Sequence, residues 1–118
     1  MADAPLAGVG VLVTRPAAQA GELISAIEAA GGRSIAFPVI EIAPRDPQRV
    51  QADVSDRDDP DIVIFVSRNA VEHGLAWSGD AAIAAVGPAT AAAIEGAARV
   101  VDIRPASGFD SESLLEEP

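Results

Sequence analysis

Continuous apolar runs alternate with stretches of helical spacing along this chain of 118 residues. Residues 9–13 and 62–66 are such runs, which are typical of strands buried on both faces of a parallel sheet. After the first run, apolar side chains at i, i+3, i+4, i+7 and i+10 predict a helix with one apolar stripe, formed by Ala20, Leu23, Ile24, Ile27 and Ala30. Pro16 suits the first turn of that helix, and Gly31-Gly32 suits its end. Strands that alternate with helices predict an α/β fold with a mainly parallel sheet.

The rest of the chain extends the same alternation. Further strands are predicted at residues 33–37, 81–86 and 100–103, and further helices at 47–54, at 69–77, from Pro88 onward and after a cap at Asp110 or Ser111. Residues 38–44 are β-branched and bracketed by prolines, which indicates an extended, strand-like connector between units. Neither half holds a complete set of elements, so we expect a fragment, or a domain built from discontinuous pieces.

One seven-residue pattern occurs twice, at residues 11–17 and 64–70. Each copy is an apolar run, a hydroxyl residue, an arginine, a residue suited to start a helix and an alanine; the hydroxyl-arginine pairs are Thr14-Arg15 and Ser67-Arg68. Ligands of open parallel sheets bind at the carboxyl ends of the strands. A helix N-terminus with a hydroxyl and a guanidinium beside it suits an anion. The repeat therefore predicts two similar α/β units, each with a turn that can bind an anion.

A plainer interpretation of these turns stays open at this point. Thr14 and Ser67 can be simple N-caps, while Arg15 and Arg68 pair with surface carboxylates. The third strand-to-helix turn, Gly87-Pro88-Ala89-Thr90, also has two interpretations. Its glycine either lets a ligand approach the backbone or serves a tight turn through its own φ and ψ.

The charge balance narrows the classes of partner. The net charge is −10, and all eight basic residues are arginines. This argues against a nucleic-acid partner, because neutralising phosphates needs a basic face, and any anion site must be local. With no cysteine and one histidine, disulfides are excluded and no zinc site is expected. Residues 81–94 are too short to span a bilayer and the N-terminus lacks a basic signal region, so we expect a cytoplasmic protein without a membrane partner.

Other motifs offer no catalytic site. Gly8-Val9-Gly10 precedes a predicted strand, whereas a dinucleotide fingerprint follows one. His73 and Ser67 face different sides of a predicted helix, so no Ser-His-Asp pattern is evident. No carboxylate pair is placed for acid-base catalysis, and Trp77 is predicted to be a packing residue.

The order and spacing of the segments resemble the uroporphyrinogen-III synthase family of tetrapyrrole and heme biosynthesis. The segments that carry the resemblance are Val-Leu-Val-Thr14-Arg15-Pro16, Phe37-Pro38-Val39-Ile40-Glu41-Ile42, Ile64-Phe65-Val66-Ser67-Arg68-Asn69-Ala70-Val71, Ala85-Val86-Gly87-Pro88-Ala89-Thr90-Ala91 and Gly108-Phe109-Asp110-Ser111-Glu112-Ser113-Leu114-Leu115. The resemblance implies the N-terminal half of a two-domain HemD-like fold with flavodoxin-like parallel-sheet units, incomplete in this chain. It divides the chain into an N-terminal portion of a discontinuous domain 1 at residues 1–37, an inter-domain linker strand at 38–44 and an incomplete domain 2 at 45–118.

The resemblance also implies a lyase activity. The reaction is the dehydrating cyclisation of hydroxymethylbilane, a linear tetrapyrrole with many carboxylates, to uroporphyrinogen III, with inversion of the terminal pyrrole ring and without cofactor or metal. On the residue match, the substrate-binding residues that line a cleft between the domains are Thr14, Arg15, Ser67, Arg68, Asn69, Gly87 and Thr90. The catalytic residues stay unassigned, because the family's tyrosine thought to assist the leaving group has no counterpart in this chain, which contains no tyrosine.

Two further expectations follow from the resemblance. The fragment is not expected to be active alone, and self-association of the truncated chain is one way to cover its apolar faces. The alternative function is a non-catalytic flavodoxin-like module that binds an anion or has a regulatory role.

Overall fold

The structure is a computed structural model that describes residues 3–118. It divides into two compact units, unit 1 at Met1–Ala43 and unit 2 at Pro44–Pro118. Each unit contains one pair of parallel strands with helices packed against it. The predicted α/β class with parallel strands is therefore confirmed.

Unit 1 is a β-α-β unit. Strand β1, Gly10–Val13, pairs with strand β2, Arg33–Ala36, and helix α1, Gly21–Ala29, connects them. A 3-10 turn at Ala17–Gln19 precedes α1, because Pro16 has an extended ψ of 136° and does not yet enter the helix. Gly31 follows α1 with a φ of +83°, the left-handed conformation predicted for the end of this helix.

The core of unit 1 lies between the strand pair and α1. Its buried and adjoining side chains are Val13, Ala20, Ile27, Leu6, Val11 and Ile24. The predicted apolar stripe therefore contributes Ala20, Ile24 and Ile27 to this core, whereas Leu23 of the same stripe is exposed.

Unit 2 repeats the strand-helix order. Its first helix is α2, Pro47–Ser55, and strand β3, Ile62–Phe65, then leads into helix α3, Arg68–Gly74. The predicted helix at residues 69–77 ends in a 3-10 turn, Leu75–Trp77. Asp46 caps α2 by accepting the Gln48 N–H at 3.0 Å.

The second half of unit 2 completes its strand pair. Strand β4, Ala82–Ala85, runs parallel to β3 and leads into helix α4, Pro88–Gly96, and the chain ends near helix α5, Ser111–Leu115. The buried cluster of this unit consists of Phe65, Val71, Ile83, Ala85, Ala91 and Ile94. It joins β3 and β4 to α3 and α4 on one side of the strand pair.

The prediction of a strand at residues 100–103 is wrong in extent. Ile103 alone forms a β-bridge, parallel to Ala84. The Ile83 N–H donates to Asp102 Oδ2 at 2.8 Å, so a side chain occupies a donor that a longer strand would use. This segment therefore lies beside β4 without forming a full strand.

The strand-like connector predicted at residues 38–44 has no strand in the structure. Pro38 and Pro44 lack backbone donors, and the Val39 N–H donates to the Thr14 carbonyl at 3.3 Å. The segment is exposed, and no neighbouring strand pairs with it among the described residues.

The prediction that the two apolar runs are buried on both faces is wrong for the described chain. Leu12 is 55% exposed, and Ile62 and Ile64 are 50% and 52% exposed. Their strand neighbours Val13 and Phe65 are buried at 2% and 3% exposure. Alternate residues of a strand point to opposite faces, and in each unit the helices form their core on one of these faces.

Candidate functional site

The carboxyl ends of β3 and β4 bring two predicted turns together in unit 2. Phe65 and Ala85 are register partners, and the Val86 N–H donates to the Phe65 carbonyl at 3.4 Å. Ser67 follows β3, and Gly87 follows β4. Turns separated by twenty positions of sequence thus share one sheet edge, where open parallel sheets bind ligands.

Ser67 is the N-cap of α3. Its Oγ accepts the Ala70 N–H at 3.0 Å, and its backbone is extended. The capping role is therefore confirmed for Ser67, and its O–H proton remains able to donate to a ligand. Asn69 lies in the first turn of α3 and is half-buried.

Arg68 is the first residue of α3, and its side chain is exposed. It lines a cavity of about 550 Å³ between α3 and α4, over an apolar surface that includes Val71 and Leu75. Within residues 3–118, the arginines that form ion pairs are Arg45 and Arg104. The surface pairing considered for Arg15 and Arg68 is therefore not observed among the described residues.

Gly87 caps α4 with φ −116° and ψ 161°, a conformation that any residue can adopt. A Cβ at this position would meet no atom within 4 Å. The interpretation that this turn needs glycine for its own φ and ψ is therefore wrong, and glycine leaves the start of α4 open to a close approach. Thr90 lies in the first turn of α4, but it is only 5% exposed and presents little surface to a ligand.

The corresponding turn of unit 1 has a different local structure. Thr14 and Arg15 follow β1 and are both exposed. Thr14 is not a cap, because the 3-10 turn is preceded by Pro16 and has no side-chain hydrogen bond at its start. The structure thus places Thr14 and Arg15 in unit 1 and the other predicted site residues in unit 2.

A third segment lies at the edge of unit 2, and none of its residues is among the site residues predicted from the sequence. Arg104, Gly108 and Phe109 line a small cavity of about 90 Å³ together with Gly87 and Pro88. A signal was present, because Arg104 directly follows the strand predicted at residues 100–103, although no hydroxyl residue precedes it as Thr14 and Ser67 precede Arg15 and Arg68.

Asp110 is the N-cap of α5, and its hydrogen bonds make the stability of this helix depend on pH. Its Oδ1 accepts the Ser113 hydroxyl at 2.6 Å and the Ser113 N–H at 2.8 Å. These bonds, the hydroxyl bond foremost, lower the pKa of the Asp110 carboxyl below its ordinary value of 3.8. The cap therefore contributes stability above pH 3.8 and loses it as the pH falls through the lower pKa of the folded chain.

We expect α5 to fray below about pH 3.8, and the amide resonance of Ser113 to report it in an NMR titration. Asp110→Asn keeps an oxygen acceptor but does not titrate, so it is expected to abolish this pH dependence. A Ser113 resonance that moves equally in the variant would assign the effect to another carboxyl group.

Two absences apply to the described residues. Within residues 3–118 no helix is long and apolar enough to cross a membrane. The same residues include no cluster of histidine and carboxylate side chains arranged to hold a metal ion.

Comparison with known proteins gives concordant matches. The family model described as "Uroporphyrinogen-III synthase HemD" matches residues 21–117, which include the unit 2 turns but not Thr14 or Arg15. A curated relative from Methanothermobacter thermautotrophicus, named "Putative uroporphyrinogen-III synthase", is 32% identical over 112 residues. The match covers 88% of this chain and 44% of the relative, so the chain spans less than half of that protein's length. The chain belongs to the uroporphyrinogen-III synthase family.

Proposed function

We propose that the full-length product of the gene encoding this chain is a uroporphyrinogen-III synthase, a cyclising hydro-lyase that acts on hydroxymethylbilane. Family membership supports the reaction class. The observation that carries the proposal is the shared edge of β3 and β4, where Ser67 caps α3 and the open turn at Gly87 begins α4. Arg68 follows Ser67 as the first residue of α3. This edge offers local anion-binding groups on a chain of net charge −10.

In the proposed reaction, water leaves the hydroxymethyl carbon and an electrophilic azafulvene forms. The substituted α-carbon of the terminal pyrrole attacks the azafulvene to give a spiro intermediate, and the original bond from that carbon to the methylene of the neighbouring ring then breaks, which leaves an azafulvene on that ring. The other α-carbon of the inverted pyrrole attacks this azafulvene and loses its proton, which closes the macrocycle. Such a route depends on holding a flexible polyanion in one geometry. We propose that this positioning comes from contacts between the substrate's carboxylate arms and the predicted binding residues, which are Thr14, Arg15, Ser67, Arg68, Asn69, Gly87 and Thr90. No residue of this chain is assigned as the general acid.

The proposed roles differ by chemistry. Arg15 and Arg68 would pair with carboxylates, and the hydroxyls of Thr14 and Ser67 would donate hydrogen bonds to them. Backbone N–H groups in the first turn of α4 lack intrahelical acceptors and can donate to an anion that approaches across Gly87. Thr90 would contribute mainly by fixing this first turn, since its side chain is nearly fully buried.

The organisation of the whole enzyme is part of the proposal. Residues 1–37 would belong to a discontinuous domain 1, residues 38–44 to the linker and residues 45–118 to domain 2, in a cytoplasmic enzyme that needs no cofactor. The 118-residue chain alone would be inactive, because it spans 44% of the relative and leaves apolar strand residues exposed. Self-association would cover part of this surface.

The test supplies hydroxymethylbilane to the full-length gene product and resolves the uroporphyrinogen isomers. Formation of the type III isomer is expected. Formation of the spontaneous type I isomer alone would contradict the proposal, and binding of the linear tetrapyrrole without isomer control would favour a non-catalytic binding module. The same assay on the 118-residue chain is expected to give no type III isomer above background.

A further inference from the structure

Phe109 is an aromatic side chain held in an exposed position. It is 73% exposed, although large apolar side chains are normally buried on folding. The backbone on both sides of it is constrained: Gly108 has a φ of +82°, and Asp110 is tied to Ser113 by two hydrogen bonds. A Cβ at Gly108 would collide with the Ser113 hydroxyl, so the local structure favours glycine at this position. Phe109 is thus presented by a defined loop.

Arg104 provides a cation on the cavity that Phe109 also lines. Its Nη2 donates to Glu95 Oε1 at 2.6 Å, and Glu95 lies near the end of α4. The Arg104 side chain is still 51% exposed. A guanidinium has five N–H donors in a fixed plane, so one contact with Glu95 orients the group and leaves other donors for a second carboxylate.

Both residues line one cavity at the candidate site. Arg104 and Phe109 line the same cavity of about 90 Å³, whose wall includes Gly87 at the start of α4. The cavity is small, so it suits one ring rather than a whole tetrapyrrole. The carboxylate of the nearby Asp110 is engaged by Ser113.

We propose that Arg104 and Phe109 form a subsite for one carboxylate-bearing pyrrole ring of the substrate, with the ring against Phe109 and the carboxylate on Arg104. This inference rests on the proposed function and names the part of the substrate that this edge holds. A cavity lined by an aromatic residue and an arginine matches a ligand that is planar at one end and anionic at the other. Arg104 and Phe109 are therefore specificity-determining residues in binding, with no role in proton transfer.

The activity test uses the full-length enzyme and measures KM and kcat for hydroxymethylbilane. Phe109→Leu keeps an apolar side chain but removes the ring, and it is expected to raise KM about threefold to tenfold. Phe109→Tyr keeps the ring and is expected to restore KM. Arg104→Gln is expected to raise KM about tenfold, with less effect at high salt because exposed charges are screened.

Matched controls separate binding from folding. Leu115→Ala alters another exposed apolar residue of the same segment, and Arg45→Gln alters another ion-paired surface arginine; both are expected to leave KM unchanged. If Phe109 served only to pack against another part of the enzyme, Leu and Tyr variants would lower the thermal unfolding midpoint without the ring-dependent difference in KM. That result, or an unchanged KM in both Phe109→Leu and Arg104→Gln, would overturn the proposal.

A binding test on the 118-residue chain distinguishes this inference from the proposed function. Porphobilinogen, a single pyrrole with acetate and propionate arms, is titrated into ¹⁵N-labelled chain. Shifts are expected at the amides of Gly87, Gly108 and Phe109, and they are expected to be lost in Phe109→Leu and Arg104→Gln. A parent enzyme that forms only the type I isomer would contradict the proposed function, whereas absence of these shifts would contradict the subsite.

Discussion

The double variant Arg15→Ala, Arg68→Ala is expected to raise the KM for hydroxymethylbilane roughly a hundredfold, and each single variant roughly tenfold. A hydrogen bond to a charged group contributes about 1.5–3 kcal/mol, and solvent exposure of both arginines places the expectation at the lower end. The two effects should add if each guanidinium holds a different carboxylate. Steady-state kinetics of the full-length enzyme, with the isomer ratio measured alongside, checks this result.

Arginines outside the proposed site provide the controls. Arg33 is exposed and begins β2, at the opposite edge of the strand pair from Arg15. Arg49 is exposed on α2, in the same unit as Arg68. Alanine at either control position is expected to leave KM within a factor of two. A loss of affinity as large as that of Arg68→Ala would mean that KM depends on the net charge of the protein and not on a specific contact with Arg68. If Arg15→Ala and Arg68→Ala change neither KM nor the isomer ratio, these arginines do not bind the substrate.

Ile94→Ala is expected to lower the free energy of unfolding of unit 2 by about 3 kcal/mol. Ile94 is fully buried at the centre of the cluster that joins β3 and β4 to α3 and α4. The substitution removes buried methylene and methyl groups and leaves a cavity that close-packed neighbours cannot fill completely. The free energy of unfolding of a unit of this size is only about 4–11 kcal/mol, so this loss is a large fraction of it. The midpoint of thermal unfolding should fall by roughly 10–25 °C.

Two comparisons define this result. Ile94→Val keeps most of the side-chain volume and is expected to cost about 1 kcal/mol. Val100→Ala alters a residue that is 73% exposed and is expected to change stability by less than about 0.5 kcal/mol. Urea unfolding followed by circular dichroism measures all three, and a loss below about 1 kcal/mol for Ile94→Ala would mean that α4 does not pack on the strands in solution.

The local signals in the sequence predicted most elements because they act over a few residues. The apolar runs became β1 and β3, Ser67 and Asp110 became N-caps, and Gly31 adopted the left-handed conformation that follows a helix. Capping depends on one side chain and backbone groups within about three positions, so it can be inferred without the fold.

The predictions of secondary structure were wrong in places where a contact or a backbone conformation overrode the local sequence pattern. The segment at residues 100–103, predicted as a strand, forms one bridge, because the Asp102 carboxylate takes a backbone donor of β4 nineteen positions away. Pro16 could be recognised as a helix-starting residue, yet its extended backbone delays α1 to Gly21.

The sequence by itself determined the alternation of strands and helices, the positions of the caps and the membership of this chain in its family. Those properties depend on spacing along the chain and on residue identity. The tertiary structure alone decided that Ser67 and Gly87 share an edge, that Thr90 is buried, that Gly87 is free of steric demand and that Arg104 and Phe109 line the same cavity. These facts depend on contacts between residues far apart in sequence, which form only when parallel strands pair and helices pack against them.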